Sequence, residues 1–336
     1  MHPAVTARRV ALLTLSLAAV ALGVLLLSLS LGSVSIPFSR VIGILFAPGS
    51  GADALTDARI VLDLRLPRVL LGACVGGGLA LAGVVFQVLL RNVLADPYIL
   101  GVSGGASVGA LVAVSTGFAL LFPGATSLAA FAGAAIVAVA VFLASGRDVT
   151  TDGNTLLLSG VMAGAFLGAV ILALVSLGGD PVRSALFWLL GFLGNATMQQ
   201  VGISAAVLVV ASALLVYRAN TLNVLALGAE AASGLGVAVR PMFLLLYGIA
   251  SLITAVLVSV AGSIGFVGLI IPHICRLLFG ADHRVLVPAS FFTGAIFLML
   301  ADLGARTILS PVELPVGAVT AALGAPLFVL LLRRRS

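Results

Sequence analysis

The side chains that could do chemistry in this sequence are few, and most of them lie at the ends of apolar runs. The deepest carboxylate is Asp302, which is followed one helical turn later by Arg306, a spacing that suits an ion pair. A carboxylate in the middle of a membrane helix is typical of ion-coupled transport. The other acids lie at run ends or in connectors, which argues against a proton- or sodium-driven carrier. No metal-ligand cluster and no pairing of a nucleophile with a base stands out, so the sequence predicts no catalytic site and no metal site.

A second group of polar side chains belongs to the stretch 262–284, which reads GSIGFVGLIIPHICRLLFGADHR. Pro272 and His273 interrupt an apolar helical pattern, and proline in a helix interior costs about 3 kcal/mol. In a membrane, protein or a water-filled cavity must satisfy the backbone groups that such a break leaves free. An ordinary proline kink and a short helix bent toward a polar face are both compatible with this pattern.

The composition places these residues in a polytopic, all-α membrane protein. Of 336 residues, 62% are hydrophobic and 8% are charged, whereas a soluble domain carries about 25% charged residues. A span needs about 20 residues, so the chain has room for about ten spans. The predicted spans are 10–31, 69–88, 99–120, 128–144, 156–177, 201–217, 242–261, 264–278, 285–303 and 316–332.

Three connectors stand out between the predicted spans. Residues 32–63 are expected to form a mixed loop, and 182–193 a short interfacial helix around Trp188, since tryptophan favours the membrane interface. Residues 218–240 predict two short helices separated at Gly228. The first is expected to present one apolar face, formed by Leu222, Leu225 and Leu227. This pattern leaves open whether the connector docks into a partner or rests on its own bundle.

The basic residues indicate the orientation of the chain, because positive residues favour the cytoplasmic side. All 17 of them are arginine. With the N-terminus inside, the arginines expected outside are Arg40, Arg59, Arg65, Arg68, Arg183 and Arg306. The remainder are expected inside, including the triplet 333–335 that makes the C-terminus cytoplasmic. The absence of lysine excludes a phosphate-binding loop of the G-x-x-x-x-G-K-[ST] type, so any ATP hydrolysis must come from another chain.

Several motifs together resemble those of the FecCD-type permeases of bacterial ABC importers for iron–siderophore, haem and cobalamin. The resemblance is carried by 265–284, by Arg65-Leu66-Pro67-Arg68, by 91–97 and by 313–317, with shorter pieces between them. These motifs occur in the family's order over nearly the whole chain. The chain departs from the pattern at Val93, where the family usually has proline, and at Ala229, where it often has an acid.

The resemblance implies a type II ABC importer permease architecture with ten helices in a single domain, 1–336. It also implies a homodimer or a pair of similar permeases in the bacterial cytoplasmic (inner) membrane. The implied partners are two cytoplasmic ABC ATPase subunits, which bind ATP and Mg²⁺, and an extracytoplasmic substrate-binding protein. No cofactor is expected on this chain itself, and no nucleic acid is expected as a partner.

The resemblance further assigns expected roles to individual residues. The connector 218–240 becomes a coupling loop, whose contacts with the ATPase are expected from Leu222, Leu225, Leu227, Gly228, Glu230, Leu235 and Gly236. Docking of carboxylates from the binding protein, which suit the planar fork of arginine, is expected at Arg65, Arg68 and Arg306. A cytoplasmic gate is expected at Gly153, Asn154 and Thr155. The signature motif comprises Gly268, Pro272, His273, Arg276, His283 and Arg284. Its histidines and arginines are expected at the inner surface, in structural or ATPase-facing roles.

The function that the resemblance implies is import of a ferric siderophore or similar metal chelate by alternating access, energised by the separate ATPases. Haem and cobalamin are the alternative substrates. An ion-coupled secondary carrier and a membrane receptor or scaffold are the alternatives from other functional classes.

Overall fold

The computed structural model describes residues 6–32, 34–46, 52–98, 100–146, 153–179 and 189–333, together with Val182 and Ala185. Over these residues the chain is helical and forms no strand. Trp188 and most of the predicted interfacial helix 182–193 lie outside the described residues, as do Arg147 and Arg183.

The helices are numbered here in chain order. The first seven are α1 Ala7–Ser30, α2 Phe38–Phe46, α3 Ala52–Arg59, α4 Leu66–Leu89, α5 Val102–Ser115, α6 Ala125–Ala144 and α7 Gly153–Leu177. The others are α8 Met198–Tyr217, α9 Ala219–Leu225, α10 Ala229–Gly234, α11 Val239–Ala261, α12 Val267–Phe279, α13 His283–Thr307 and α14 Val316–Arg333. A π-helical turn, Ile60–Arg65, joins α3 to α4, and a 3₁₀ turn, Phe118–Leu120, follows α5.

Seven helical segments of the described chain are long and apolar enough to cross a membrane. They are α1, 55–89, α6, α7, α8, α11 and α13. Three further apolar helices, α5, α12 and α14, are shorter. All ten predicted spans therefore correspond to apolar helices, and the chain is a multi-pass membrane protein.

The predicted lengths of the third and eighth spans are wrong. Helix α5 begins only at Val102, after Gly101 in the left-handed region (φ 75°), and α12 begins after Phe266, which is also left-handed (φ 70°). Leu100, before α5, and Ile264, before α12, belong to non-helical backbone, which hydropathy does not distinguish from a helix. Non-helical backbone at membrane depth must be covered by protein or line a cavity.

The predicted mixed loop 32–63 is also wrong, because most of its described part is helical. Helix α2, helix α3 and the π-helical turn place Val41, Ile44 and Val61 in a small core against Leu29 of α1. The acidic and proline residues of this stretch suggested a loop, but apolar residues such as Val41 and Ile44 recur at helical spacing and are buried.

Helix α4 is the centre of the bundle, with nearly all of its residues buried. Helices α8, α11, α12 and α13 pack around it. Two glycine pairs bring the backbones together: a Cβ at Gly76 would lie directly against the Gly294 carbonyl, and one at Gly83 against the Gly268 carbonyl. Small residues at such crossings let membrane helices pack closely.

Candidate functional site

The connector 218–240 forms the two short helices that its sequence predicts, α9 and α10. Leu222 and Leu225 are buried against the bundle. Leu227 is 68% exposed, so the prediction that it shares their apolar face is wrong. It follows the end of α9, and the chain turns at Gly228, where φ is 110° and a residue with a side chain would be strained. The surface that contains this connector is called the connector face below.

The remaining residues expected to couple to a partner lie beyond that turn. Glu230, Leu235 and Gly236 are exposed, while Gly228 is buried. Leu227 and Leu235 therefore present apolar side chains on the connector face, next to an exposed carboxylate. The predicted coupling set divides into buried anchors of α9 and exposed groups that a partner can reach.

Asn223 bonds α9 to the start of α13. Its Nδ2 donates to Asp282 Oδ1 over 3.0 Å, and its Oδ1 accepts from the backbone N–H of His283 over 2.8 Å. Asp282 also caps α13 by accepting from the backbone N–H of Arg284. The Arg284 guanidinium donates to both carboxylate oxygens and holds the pKa of the Asp282 carboxyl well below its usual range. The carboxylate is therefore charged at neutral pH.

A cavity of about 470 Å³ opens beside this junction. It is lined by the end of α4 and residues 91–93, by α9 with Leu227, by Asp282, and by Arg276 and His283 of the signature motif. Arg284 is exposed beside it. Two signature residues thus line the cavity beside the predicted coupling loop.

The central signature residues lie inside the bundle. Pro272 and His273 are buried in α12. Because proline has no N–H, the carbonyl of Gly268 loses its helical donor. Gln87 of α4 lies against it, with Nε2 3.5 Å from Gly268 O and 3.2 Å from Leu269 O. A side-chain amide of α4 thus lies at the break in α12, with its shorter contact to Leu269 O and a longer one to the carbonyl that Pro272 leaves free.

The predicted gate residues begin α7. Gly153 is buried, and a Cβ there would lie 2.9 Å from the Cα of Leu90, a buried residue that directly follows α4. Asn154 and Thr155 are exposed. The start of α7 is thus brought against the end of α4 that borders the cavity at the connector face. Its role as a gate stays a prediction.

The three arginines expected to dock a binding protein lie together at the opposite end of α13, on what is called the arginine face below. Arg68 Nε lies 3.0 and 3.1 Å from the two carboxylate oxygens of Asp302, and its Nη1 lies 2.8 Å from Glu313 Oε2. Arg306 Nε lies 3.6 Å from Asp302 Oδ2. The ion pair expected between Asp302 and Arg306 is therefore present, but Arg68 lies closer to the carboxylate.

Two of these arginines also bind free carbonyl groups at the C-terminal end of α1 and just after it. Arg65 donates to the carbonyls of Leu29, Ser30 and Val34, and Arg306 donates to the carbonyl of Ser28. Cations at a helix C-terminus satisfy free carbonyls and favour the helix dipole. Arg65, Arg68 and Arg306 are accordingly buried, with partners in their own chain, although their side chains border a cavity of about 270 Å³. Their docking role stays a prediction.

Several residues that complete these sites were given no role in the sequence analysis. Asn223, Asp282, Gln87 and Glu313 each bond an element far away in the chain. A polar residue within an otherwise apolar helix, as Gln87 is in α4, could have been recognised as needing a partner. Among the described residues, no group of three or more His, Cys, Asp or Glu could hold a metal ion.

Comparison with known protein sequences supports the family that the motifs indicate. The model of the FecCD transport family matches residues 19–334. The uncharacterized ABC transporter permease protein YvrB of Bacillus subtilis is 42% identical over 93% of this chain and 90% of its own length. The cobalamin import system permease protein BtuC of Halobacterium salinarum is 47% identical over 82% of this chain and 74% of its own. The vitamin B12 import system permease protein BtuC of Salmonella typhimurium is 40% identical over 85% and 87%.

Solved structures extend the comparison. One, described as an inward-facing conformation of a metal-chelate type ABC transporter, has a TM-score of 0.84 and 30% identity, and covers 96% of this chain and 98% of its own. PsaBC of Streptococcus pneumoniae has a TM-score of 0.54 at 18% identity, over 79% of this chain and 90% of its own, and shares the fold alone.

Proposed function

Because this chain belongs to the FecCD transport family and is a permease subunit of an ABC importer, we propose that it carries a cobalt corrinoid such as cobalamin across the bacterial cytoplasmic membrane. The observation that supports this substrate is the pair of relatives named for cobalamin and vitamin B12 import. The similarity to a metal-chelate type transporter supports the wider class. A ferric siderophore, the substrate expected from the family resemblance, is the second candidate within that class.

The proposed mechanism is alternating access in an assembly of two such permeases. ATPase subunits dock at the connector face, which is then cytoplasmic, and a binding protein delivers the substrate at the arginine face. One feature supports a pathway between permeases: Gly164 and Gly168 of α7 have no neighbour within 4 Å. The proposed gate residues begin the same helix. A surface without charged side chains suits the passage of a bulky chelate.

Uptake by a deletion strain tests the substrate. Labelled cobalamin, a labelled ferric siderophore and labelled haem are each supplied with and without the restored gene. We expect cobalamin uptake to be lost on deletion and restored on complementation, with the other two unchanged. Loss of siderophore uptake alone would overturn the corrinoid proposal but would still agree with an ABC importer. Uptake by this chain alone in liposomes that stops when an ion gradient is removed would overturn both the substrate and the ABC importer mechanism.

If the ATPase docks at the connector face, Leu227→Asp should weaken the complex between the permease and the ATPase. The exposed leucine is expected to enter the partner surface, where a charge without a partner is costly. Val312→Asp is the matched control, because Val312 is similarly exposed (63%, against 68% for Leu227) but follows the other end of α13. Co-purification of the ATPase should fall for the first variant and not for the second. Equal retention by both variants would contradict the assignment of the connector.

A further inference from the structure

The junction between α9 and α13 depends on one side chain that uses both of its polar ends. Asn223 donates through Nδ2 to Asp282 Oδ1 and accepts through Oδ1 from the backbone of His283, whose ring Nδ1 also lies 2.7 Å from that oxygen. The first N–H groups of a helix have no partner within the helix. Asn223 therefore satisfies part of the start of α13 from a different element.

The rest of α9 is held by apolar packing. Leu222 and Leu225 are buried on the bundle, and such contacts are non-directional. A pair of hydrogen bonds to a capped helix start is directional, because it fixes both the distance and the angle between the two elements. Among the described hydrogen bonds, those of Asn223 thus form a polar link that sets where α9 lies relative to α13.

Helix α13 continues from this link to the opposite face. It has 25 residues, which corresponds to about 37 Å at 1.5 Å per residue. Along its length Gly294 packs directly on Gly76 of α4, and near its end Asp302 pairs with Arg68. A displacement of its start is therefore carried by a continuous element that contacts the centre of the bundle and the arginine face.

We propose that Asn223 is a positioning residue that fastens α9 to α13 through Asp282 and His283, so that movement of the connector is transmitted along α13. This inference rests on the proposed function, because it assigns the coupling of ATP hydrolysis to transport to a specific joint. Loss of the joint leaves the exposed docking groups in place but uncouples their movement from the bundle.

Exchange of the two side chains tests the joint. Asn223→Asp alone places two carboxylates about where one hydrogen bond of 3.0 Å now lies, and like charges at that distance repel. The double variant Asn223→Asp with Asp282→Asn restores one donor and one acceptor with the direction of the bond reversed. Asparagine is also a good N-cap, so residue 282 can still cap α13.

The assay is transport per ATP hydrolysed, measured in proteoliposomes with the complete importer. Asn223→Asp and Asn223→Ala are expected to lower this ratio about fivefold or more, which is the usual lower range of a coupling effect, while the ATPase stays bound. The exchanged double variant is expected to recover part of the ratio, because Arg284 still loses the ion pair that it forms with Asp282. Asn220→Asp is the matched control, because Asn220 is an exposed residue of the same helix.

Two outcomes would overturn the inference: an unchanged ratio in Asn223→Ala, or an exchanged variant no better coupled than Asn223→Asp alone. If Asn223→Asp does not assemble, the alanine variant still decides the first point. The pair can also be measured without transport, as the non-additivity of the single and double variants in the thermal unfolding of the isolated permease. If the corrinoid proposal is wrong, the single and double variants should still be non-additive. If Asn223 and Asp282 do not form the proposed link, their effects on thermal unfolding should be additive.

Discussion

Replacement of Arg68 by alanine tests the charge cluster at the arginine face. Arg68 is 7% exposed, and it contacts both oxygens of Asp302, which is 2% exposed. Removal of one partner of a buried ion pair costs about 3–5 kcal/mol, because the other charge stays buried without compensation. Arg306 remains 3.6 Å from the carboxylate and offsets part of the loss. We therefore expect the free energy of unfolding to fall by about 3 kcal/mol, the lower end of that range.

Arg40→Ala is the matched control. Arg40 pairs with Asp57 over 2.7 Å, but its side chain is 43% exposed, and exposed pairs contribute about 0–1 kcal/mol. The measurement is the unfolding of purified permease in mixed micelles on titration with a denaturing detergent, followed by helical circular dichroism. The two variants should differ by about 2 kcal/mol or more.

Asp302→Asn in the Arg68→Ala background provides a second check. It removes the stranded carboxylate, so the double variant is expected to be more stable than Arg68→Ala alone. The reasoning is refuted if Arg68→Ala costs no more than Arg40→Ala, or if neutralising Asp302 brings no recovery. Either result would mean that water or another cation stabilises this carboxylate as well as Arg68 does.

Two further predictions concern packing and docking. Gly83→Val is expected to destabilise the bundle by about 1–3 kcal/mol through overpacking against Gly268, whereas Gly202→Val, at a position with no neighbour within 4 Å, should cost much less in the same unfolding titration. Glu313→Gln is expected to strengthen binding of the substrate-binding protein, measured by surface plasmon resonance, because Glu313 is half-exposed and occupies Arg68 Nη1, which an incoming carboxylate would need. An unchanged or weaker affinity would remove Arg68 from the docking surface.

The positions of the apolar helices could be predicted because each helix corresponds to a run of apolar residues in the sequence. The residues at which the helices begin and end could not be predicted in the same way. The start of α12 is set by Phe266 in a left-handed conformation and by packing of Gly268 on Gly83, and both depend on contacts with a distant helix. The helical part of 32–63 was missed for a related reason, since its apolar residues are buried only when α1 lies beside them.

In the candidate sites too, local features could be predicted from the sequence, whereas contacts between distant residues could not. The two helices of the connector follow from its local pattern, including the interruption at Gly228, but the exposure of Leu227 depends on the direction of the chain after α9. The positive charges at the arginine face could be recognised individually. Their carboxylate partners could not, because Arg68 and Asp302 are separated by 234 residues and nothing local links them.

The contact between Gln87 and the broken turn of α12 has a consequence for divergence among related chains. The amide is needed because Pro272 leaves a carbonyl without its helical donor. A chain in which position 272 regains an N–H no longer needs the amide, and an apolar residue at 87 then costs little. A chain that keeps the proline and loses the amide leaves a bare carbonyl in an apolar interior. Substitutions at these two positions should therefore be accepted in one order, with the proline replaced first.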